Sequence, residues 1–202
     1  MIRKRHYTLK RRAENQAETR RRIVKATVDL HAELGPAHTS ITAVAERAGV
    51  QRHTVYAHFP TERELGLACS GMALERDPLP DERAWRAITD PDQRVRRGLS
   101  EIYAWYARNA ALVSCVMRDA EIDPLTRNIV RLRIGSRMDA FQAILGRGLK
   151  PGRELHAALG LAVSFNTWRT LVKDGGLSND AAVSFMVRAL HCAAEPKRSA
   201  KP

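Results

Sequence analysis

Apolar side chains recur at helical spacing along residues 41–48, on a face formed by Ile41, Val44, Ala45 and Ala48. Ser40 precedes this face, where its hydroxyl can accept a hydrogen bond from a free N–H group of the first helical turn. Gly49 follows it, where a helix end favours a residue that tolerates positive φ. Val50 is placed to fold back onto the helix as an apolar plug. The pattern therefore predicts a short, capped helix.

A second short helix fits Gln51–His58, with Val55 and Phe59 facing inward and Pro60 unable to continue it. Two short helices joined by a glycine-containing turn are typical of a helix-turn-helix. A helical hairpin that only packs a core would show the same apolar pattern. The neighbouring segments favour the helix-turn-helix, because an Arg-rich stretch precedes it and residues 60–65 open another helix directly behind it.

The segment 22–65 resembles the tetracycline-repressor (TetR) family. The matching motifs are, in order, Ile23, Ala26, Leu30 and Leu34 of a first helix, Gly35, then Thr39–Ala45, Ala48–Val50 and Thr54–Pro60. The resemblance implies an all-α fold, with an N-terminal three-helix helix-turn-helix head and a C-terminal helical body for ligand binding and dimerisation. Two positions depart from the family. Gln51 replaces a usual Ser cap, and Glu62 stands where a phosphate-binding Lys is common, with Arg63 next to it as a candidate substitute.

The candidate DNA-binding residues lie mostly on the second helix of this motif. Gln51, Arg52 and His53 occupy its leading edge, which points at base edges in helix-turn-helix docking. Arg52 paired with guanine would be the largest specificity contribution, about 1–3 kcal/mol. The remaining candidates, several of them phosphate contacts by match to family positions, are Ser40, Thr42, Thr54, Tyr56, His58, Arg20, Arg21 and Arg22.

The net charge of +12 implies an anionic partner, with nucleic acid the first candidate and an anionic membrane the second. Residues 1–22 hold nine Lys or Arg against Glu14 and Glu18. Residues 1–19 are predicted to be a flexible basic arm along the DNA backbone or minor groove. A solvated tail without a specific role is the alternative.

The rest of the chain is helical by pattern. We expect helices over residues 20–34, from Pro60 or Thr61 to about 75, from Asp90-Pro91, over 110–118, from Asp123-Pro124 to 149, over 153–173, and from Ser178. Asp119 and Glu121 are assigned to an ordinary charged turn. The predicted domains are a basic arm at 1–19, a helix-turn-helix domain at 20–66, an effector-binding and dimerisation domain at 67–195, and a disordered tail at 196–202.

The resemblance also implies an effector cavity between the body helices and a homodimer formed through the last two long helices. Small residues in those helices permit close approach, although they also suit packing within one chain. Apolar walls with a few polar groups suit a small hydrophobic or aromatic ligand. The candidate effector-binding residues are Tyr103, Tyr106, Met117, Arg137, Phe141, Asn166, Trp168 and Arg169. Aromatic residues at helical spacing are also the usual content of a core.

The sequence offers no catalytic, metal or cofactor signature. The seven His are scattered without an HExxH motif, and no glycine-rich phosphate loop is present. The three Cys lack a CxxC pair, so neither a disulfide framework nor a zinc site is expected. No apolar run is long enough to span a bilayer, and no signal-type core follows the basic N-terminus. We therefore expect no enzyme, no membrane partner and a cytoplasmic location.

These observations predict a transcriptional regulator that binds double-stranded DNA. Most consistent with the resemblance is a repressor that binds a palindromic operator as a homodimer and is released by a small molecule. An activator remains open, since that depends on where the operator lies. The alternative is a non-regulatory basic nucleic-acid-binding or architectural protein, which would show weak sequence preference. A third class, an enzyme with an incidental basic tail, would retain its activity after Arg52→Ala and bind no DNA.

Overall fold

The computed structural model describes the backbone of residues 2–195 and the side chains of residues 11–195. The regular elements among these residues are all helical, which confirms the all-α class. The α-helices are α1 Ile2–Glu33, α2 Ile41–Ala48, α3 Arg52–His58, α4 Glu62–Arg76, α5 Pro91–Ile122, α6 Pro124–Val130, α7 Ser136–Leu145, α8 Arg153–Ala162, α9 Phe165–Trp168 and α10 Asn179–Ala194. Two 3₁₀ turns, Pro36–His38 and Glu82–Ala87, and two π-helical segments, Arg131–Gly135 and Arg169–Asp174, complete them.

The chain divides into two compact units. The first contains the residues up to Pro78 together with Ala111–Arg133, and the second contains Leu79–Ala110 together with the residues from Ile134 onward. Helix α5 contributes residues to both units. The functional boundaries expected at residues 19, 66 and 195 stay predictions, and the tail predicted at 196–202 lies outside the described residues.

Helix α1 corrects the prediction of an irregular N-terminal arm followed by a helix from residue 20. The helix begins at Ile2 and runs without interruption to Glu33. Residues 2–19 contain neither Gly nor Pro and are rich in Arg, Lys, Glu, Gln and Ala, which favour helix. Ile2, Tyr7 and Leu9 are the only large apolar residues in this stretch of sequence, too few to form an apolar stripe that would reveal the helix. The side chains of the first ten residues lie outside the described set.

The first unit contains a core built from the inner faces of α1 to α4. Its most deeply buried members are Ile23, Val44, Val55 and Phe59, each 2% exposed or less. The remaining buried members are Val24, Ala26, Leu30, Ala45, Ala48 and Leu65. Val50 packs against this cluster, as its predicted role as a plug requires. The core fixes α2 and α3 against α1 from the inside.

The second unit is filled by large aromatic side chains. Trp85, on the 3₁₀ turn before α5, is fully buried, with its ring centroid 5.1 Å from that of Phe141. Its indole N–H donates to Glu101 Oε2 at 2.8 Å. Gly98 makes room for this ring, because a Cβ atom there would come within 3.2 Å of Trp85. These contacts bury Trp85 in the interior of this unit, while most other residues of the turn 82–87 stay exposed.

Helix limits in the rest of the chain differ from prediction at three points. The helix expected from Asp123-Pro124 to 149 contains the π-helical segment Arg131–Gly135 and ends at Leu145. The separate helix expected at 110–118 is wrong, since α5 runs continuously and no Gly or Pro interrupts residues 99–122. The single helix expected over 153–173 is also wrong, because α8 ends at Ala162 and α9 begins after Ser164. The caps at Asp90, Asp123 and Ser178 are confirmed by their hydrogen bonds to first-turn N–H groups.

Candidate nucleic-acid interface

The turn between α2 and α3 is fixed by local hydrogen bonds that the sequence predicted. Ser40 Oγ accepts from the Ala43 N–H at 3.1 Å and caps the start of α2. Gly49 ends α2 with φ of 64° in the left-handed region, which an L side chain adopts only with strain. The Val50 N–H then donates to Ala45 O at 3.0 Å. The chain is thereby turned into α3 with little freedom.

Helix α3 presents its leading edge outward. Val55 and Phe59 anchor the helix in the core, being 0% and 2% exposed. Gln51 occupies the N-cap position with no side-chain capping bond, and Gln51, Arg52 and His53 are all exposed. Three polar side chains therefore remain available for a partner at the first turn of the helix.

The other candidate DNA contacts on α2 and α3 surround this edge. Ser40 and Thr42 are exposed at the start of α2, whereas Thr54 and His58 on α3 are half-buried. Tyr56 is 43% exposed and lies 5.9 Å from the Arg52 guanidinium carbon, measured to its ring centroid. This distance allows a cation–π contact that would limit the motion of both side chains. The α2–α3 element thus brings these predicted residues together.

Two of the three predicted arginine contacts on α1 are already engaged within the protein. Arg20 donates from Nη1 to His58 O at 2.7 Å, and its guanidinium lies 3.9 Å from the Phe59 ring centroid. Arg22 donates from Nη2 to the carbonyls of Ala48 and Gly49. No pattern in the sequence indicates these bonds, because they join residues far apart in the chain.

Glu62 is the acidic residue at the position where the resembled family often has Lys. It is the first residue of α4 and is exposed. Thr61 caps this helix by accepting from the Glu64 N–H at 3.2 Å, and its hydroxyl also bonds Glu64 Oε1. Acidic side chains in a first helical turn interact favourably with the helix dipole. Glu62 therefore suits the start of α4, while Arg63 beside it is exposed.

Asp119 corrects the prediction of an ordinary charged turn. Its side chain is fully buried within the first unit, where it pairs with Arg118 at 2.8 Å and accepts from the Ala37 N–H at 2.9 Å. Burial opposes its ionisation, but the hydrogen bonds from Arg118 and Ala37 outweigh that effect and hold the pKa of Asp119 below its ordinary value. The Arg118 guanidinium also donates to Leu34 O at 2.7 Å.

The packing of Arg118 and Asp119 against the corner between α1 and α2 explains why residue 35 is a glycine. Its φ is 97°, and a Cβ atom there would collide with the Asp119 carboxylate and the Arg118 guanidinium. The end of α5 therefore holds the corner between α1 and α2 through backbone groups. The sequence showed an acidic residue beside a basic one but could not show that they reach residues 34–37.

Four of the candidate effector-binding residues are core residues of the second unit: Tyr103, Tyr106, Phe141 and Trp168. Their polar atoms are used internally, as Tyr103 and Tyr106 donate to the carbonyls of Ala162 and Val163 at 3.1 and 2.5 Å. Burial raises the pKa of both tyrosine hydroxyls well above their ordinary value. The ring of Tyr106 packs against those of Tyr103 and Trp168, whereas Phe141 packs against Trp85.

The other four candidates are dispersed. Asn166 is exposed and lines an open groove with Leu161, Thr170, Phe185 and other residues of α8 to α10. Arg169 is exposed outside that lining. Arg137 pairs with the buried Glu82 at 2.7 Å and donates to Pro80 O. Met117 belongs to the first unit. The predicted set therefore does not converge on one site.

Two titratable side chains of the first unit have shifted pKa values. Burial lowers the pKa of His31 to about 4, although Asp119 acts in the opposite direction. Burial likewise raises the pKa of the Cys69 thiol to about 12. Across the described residues, no group of three or more His, Cys, Asp or Glu side chains could hold a metal ion. Within residues 2–195, no helix combines the length and apolar character needed to cross a bilayer.

Comparison with known proteins agrees with this geometry. Residues 23–69 match the family described as bacterial regulatory proteins, tetR family. The HTH-type transcriptional repressor KstR of Mycolicibacterium smegmatis is 32% identical over 106 residues, which cover 52% of this chain and 52% of KstR. The chain thus matches about half the length of that relative. The α1 to α4 core and the exposed edge of α3 lie inside the matched region.

Solved structures extend the likeness to most of the chain. The hemolysin II transcriptional regulator HlyIIR superposes with a TM-score of 0.67 at 17% identity, covering 87% of this chain and 98% of that one. FadR from Bacillus subtilis, solved in complex with stearoyl-CoA, gives a TM-score of 0.62 at 17% identity, covering 85% and 97%. At this identity the likeness shows the fold. The family match covers residues 23–69, and the fold of most of the chain is similar to that of these two solved structures.

Proposed function

We propose that this protein is a DNA-binding transcriptional repressor that acts as a homodimer and responds to a small-molecule effector. The observation that carries the proposal is the exposed leading edge of α3, where Gln51, Arg52 and His53 project from a helix anchored by Val55 and Phe59. In helix-turn-helix docking these first-turn positions contact base edges in the major groove. The name of the relative KstR, a transcriptional repressor, supports the same role.

Affinity for DNA comes mainly from phosphate contacts, and the chain supplies the charge for them. Arg11, Arg12 and Arg21 on α1 are exposed, in a protein with a net charge of +12. Each neutralised phosphate would release counterions and steepen the salt dependence of binding. Ser40, Thr42 and Tyr56 would add neutral hydrogen bonds to the backbone, which fix the register of α3 without reading sequence.

The proposed dimer uses the outer face of α8 and α10. Leu161 and Phe185 are 59% and 46% exposed there and border the apolar groove that Asn166 lines. Exposed apolar patches of this kind mark interaction sites. Phe185→Glu should convert the dimer to a monomer in sedimentation experiments. Leu132→Glu, at a residue 61% exposed in the first unit, is the matched control and should leave the mass unchanged.

The effector of the proposed regulator is a small molecule bound by the second unit. Tyr103, Tyr106 and Trp168 are packed, so a ligand that enters between them would bind a conformer in which they have moved. It shifts the equilibrium only by its difference in affinity between the two conformers. The complex of FadR with stearoyl-CoA makes acyl-CoA thioesters reasonable first probes. Release of DNA on adding stearoyl-CoA would support this class, and binding of the probe without release would argue against regulation by it.

The decisive experiment for DNA recognition is selection from a random pool of duplexes by the purified protein at stated salt. A palindromic consensus would support both base recognition and a two-fold symmetric dimer, with half-sites about 34–36 Å apart. Recovery of no consensus, despite tight binding, would overturn the proposal. That result would favour the alternative, a basic nucleic-acid-binding or architectural protein without a regulatory role.

The role of the N-terminal part of α1 is tested by measuring the affinity for the selected duplex at several salt concentrations. Deleting residues 1–12 removes six Lys or Arg side chains. If this segment contacts phosphates, binding to every sequence should weaken, and the slope of log affinity against log salt should become shallower by about 0.9 for each phosphate that is no longer neutralised. An unchanged slope would show that this part of α1 does not contact DNA.

A further inference from the structure

We infer that Arg20 and Arg22 are positioning residues, which set the angle of the recognition helix by holding the C-terminal ends of α3 and α2 to α1. The inference rests on the proposed function, because it assigns these residues a part in sequence recognition. It also gives a different role to two of the three arginines that were predicted from the sequence to bind DNA.

Arg20 holds the end of α3. His58 is the last residue of that helix, and its carbonyl is among those that a helix end leaves without an intrahelical partner. Arg20 Nη1 donates to this oxygen at 2.7 Å. The same guanidinium stacks 3.9 Å from the ring centroid of Phe59, which is 2% exposed. A positive charge at a helix C-terminus is also favoured by the helix dipole.

Arg22 holds the end of α2 in the same manner. Its Nη2 atom donates to the carbonyl of Ala48, the last residue of α2, and to Gly49 O at 3.1 Å. The glycine eases this approach, because a Cβ atom on Gly49 would lie 3.0 Å from Arg22 Nη2 and would push the guanidinium back slightly. Gly49 therefore serves both the positive φ of the turn and the access of the guanidinium.

Both arginines extend from a well-anchored part of α1. Ile23 and Val24 follow directly and are 0% and 5% exposed. The core holds α2 and α3 through their inner faces, while Arg20 and Arg22 hold their ends. With the ends released, α3 can tilt about its anchors Val55 and Phe59. A tilt would displace Gln51, Arg52 and His53 from the base edges that they are proposed to read.

A guanidinium suits both positions. The Arg22 Nη2 atom that bonds the Ala48 and Gly49 carbonyls lies one bond farther along the side chain than a lysine Nζ, so a lysine there would fall short of them. Arg20 stacks its planar guanidinium on the Phe59 ring and, in the same plane, donates a hydrogen bond to His58 O. A lysine ammonium has no planar group that could do both. By contrast, either side chain can neutralise a phosphate as a point charge. Substitution by Lys therefore separates the two roles. Arg21, which lies between them and is exposed, provides a matched control.

The test uses the duplex selected from a random pool by the unmodified protein, together with single base-pair variants of it. Binding of Arg20→Lys, Arg22→Lys, Arg21→Lys and Arg21→Ala is measured over a range of salt, at a temperature where circular dichroism shows each variant folded. We expect Arg20→Lys and Arg22→Lys to lower the discrimination between selected and variant duplexes roughly fivefold to tenfold, with an unchanged salt slope. Arg21→Ala should reduce the slope by about 0.9 and leave discrimination intact.

Other outcomes overturn the inference. One such outcome is that Arg20→Lys and Arg22→Lys match the unmodified protein in both affinity and discrimination. In that case only the positive charge at these two positions matters, and the guanidinium contacts do not set the angle of α3. If they unfold more easily but keep full discrimination when folded, the contacts are stabilising only. Selection of no sequence by the unmodified protein would instead reject the proposed function, and the inference with it. Loss of discrimination in the two Lys variants, against normal selection by the unmodified protein, supports both.

Discussion

The recognition edge of α3 and the aromatic interior of the second unit show how differently sequence patterns constrain side chains. In α3, the polar run Gln51, Arg52 and His53 precedes two apolar anchors, and the structure leaves that run exposed. In the second unit, Tyr103, Tyr106 and Trp168 were predicted to line a ligand site, although a core is the usual place for such residues, and the structure packs them as core. Polar residues beside apolar anchors have one reasonable orientation, whereas aromatic residues within a bundle have several.

The sharpest test of this contrast is truncation of a ring in the second unit. Trp168→Ala should lower the free energy of unfolding by about 3–5 kcal/mol, because a fully buried ring leaves a cavity. Urea unfolding followed by circular dichroism measures it. Asn166→Ala, two residues earlier and exposed, should change stability by less than about 0.5 kcal/mol. Equal and small effects would mean that Trp168 is not core.

The buried carboxylate of the first unit should have the next largest effect. Asp119→Asn should destabilise by about 1–3 kcal/mol at neutral pH, because it weakens charge-assisted bonds from Arg118 and Ala37. The folded pKa is depressed, so the contribution of Asp119 is complete above the unfolded value of about 3.9 and is lost as pH falls through the folded pKa.

Urea unfolding measured from pH 7 down to below pH about 4 therefore distinguishes the unmodified protein from the Asp119→Asn variant. The difference in stability between Asp119 and its Asn variant should be constant near neutrality and shrink as the pH falls below about 4. A difference that is independent of pH would show that the carboxylate charge is not what holds the corner at Gly35.

The smallest of the three stability effects concerns a residue whose cap was predicted from sequence. Ser40→Ala removes the acceptor for the Ala43 N–H and should cost about 1 kcal/mol. Thr42→Ala, exposed on the same helix, is the matched control and should be near neutral in thermal unfolding. Should both variants unfold alike, the Ser40 cap would contribute nothing to the stability of α2.

Turns explain much of what the sequence could and could not predict. The turn after α2 uses Gly49 at φ 64°, a conformation that restricts residue choice and is therefore visible in the sequence. The turn after α8 uses Val163 at φ −89°, which almost any residue adopts, so the break in the helix expected over 153–173 went undetected. Local caps at Ser40, Asp123 and Ser178 were predictable for the same reason as Gly49.

Contacts between distant segments could not be predicted. Arg118 and Asp119 bond Leu34 and Ala37, and Arg20 bonds His58, although tens of residues separate these partners in the chain. An arginine near a helix-turn-helix suits a phosphate or a helix end equally well, and only the packing of α1 against α2 and α3 decides which carbonyls lie within reach. The continuation of α1 to Ile2 was not predicted because residues 2–19 contain too few apolar residues to form an apolar stripe.

The central claim is that the leading edge of α3 reads base sequence, and the most direct measurement is the binding of Arg52→Ala to the selected duplex and to each of its single base-pair variants. We predict a loss of preference at one position per half-site, equivalent to about 1–3 kcal/mol, with preference elsewhere retained. A uniform loss of affinity for every duplex, or no loss at all, would contradict this account, because Arg52 would then contact only phosphate or nothing.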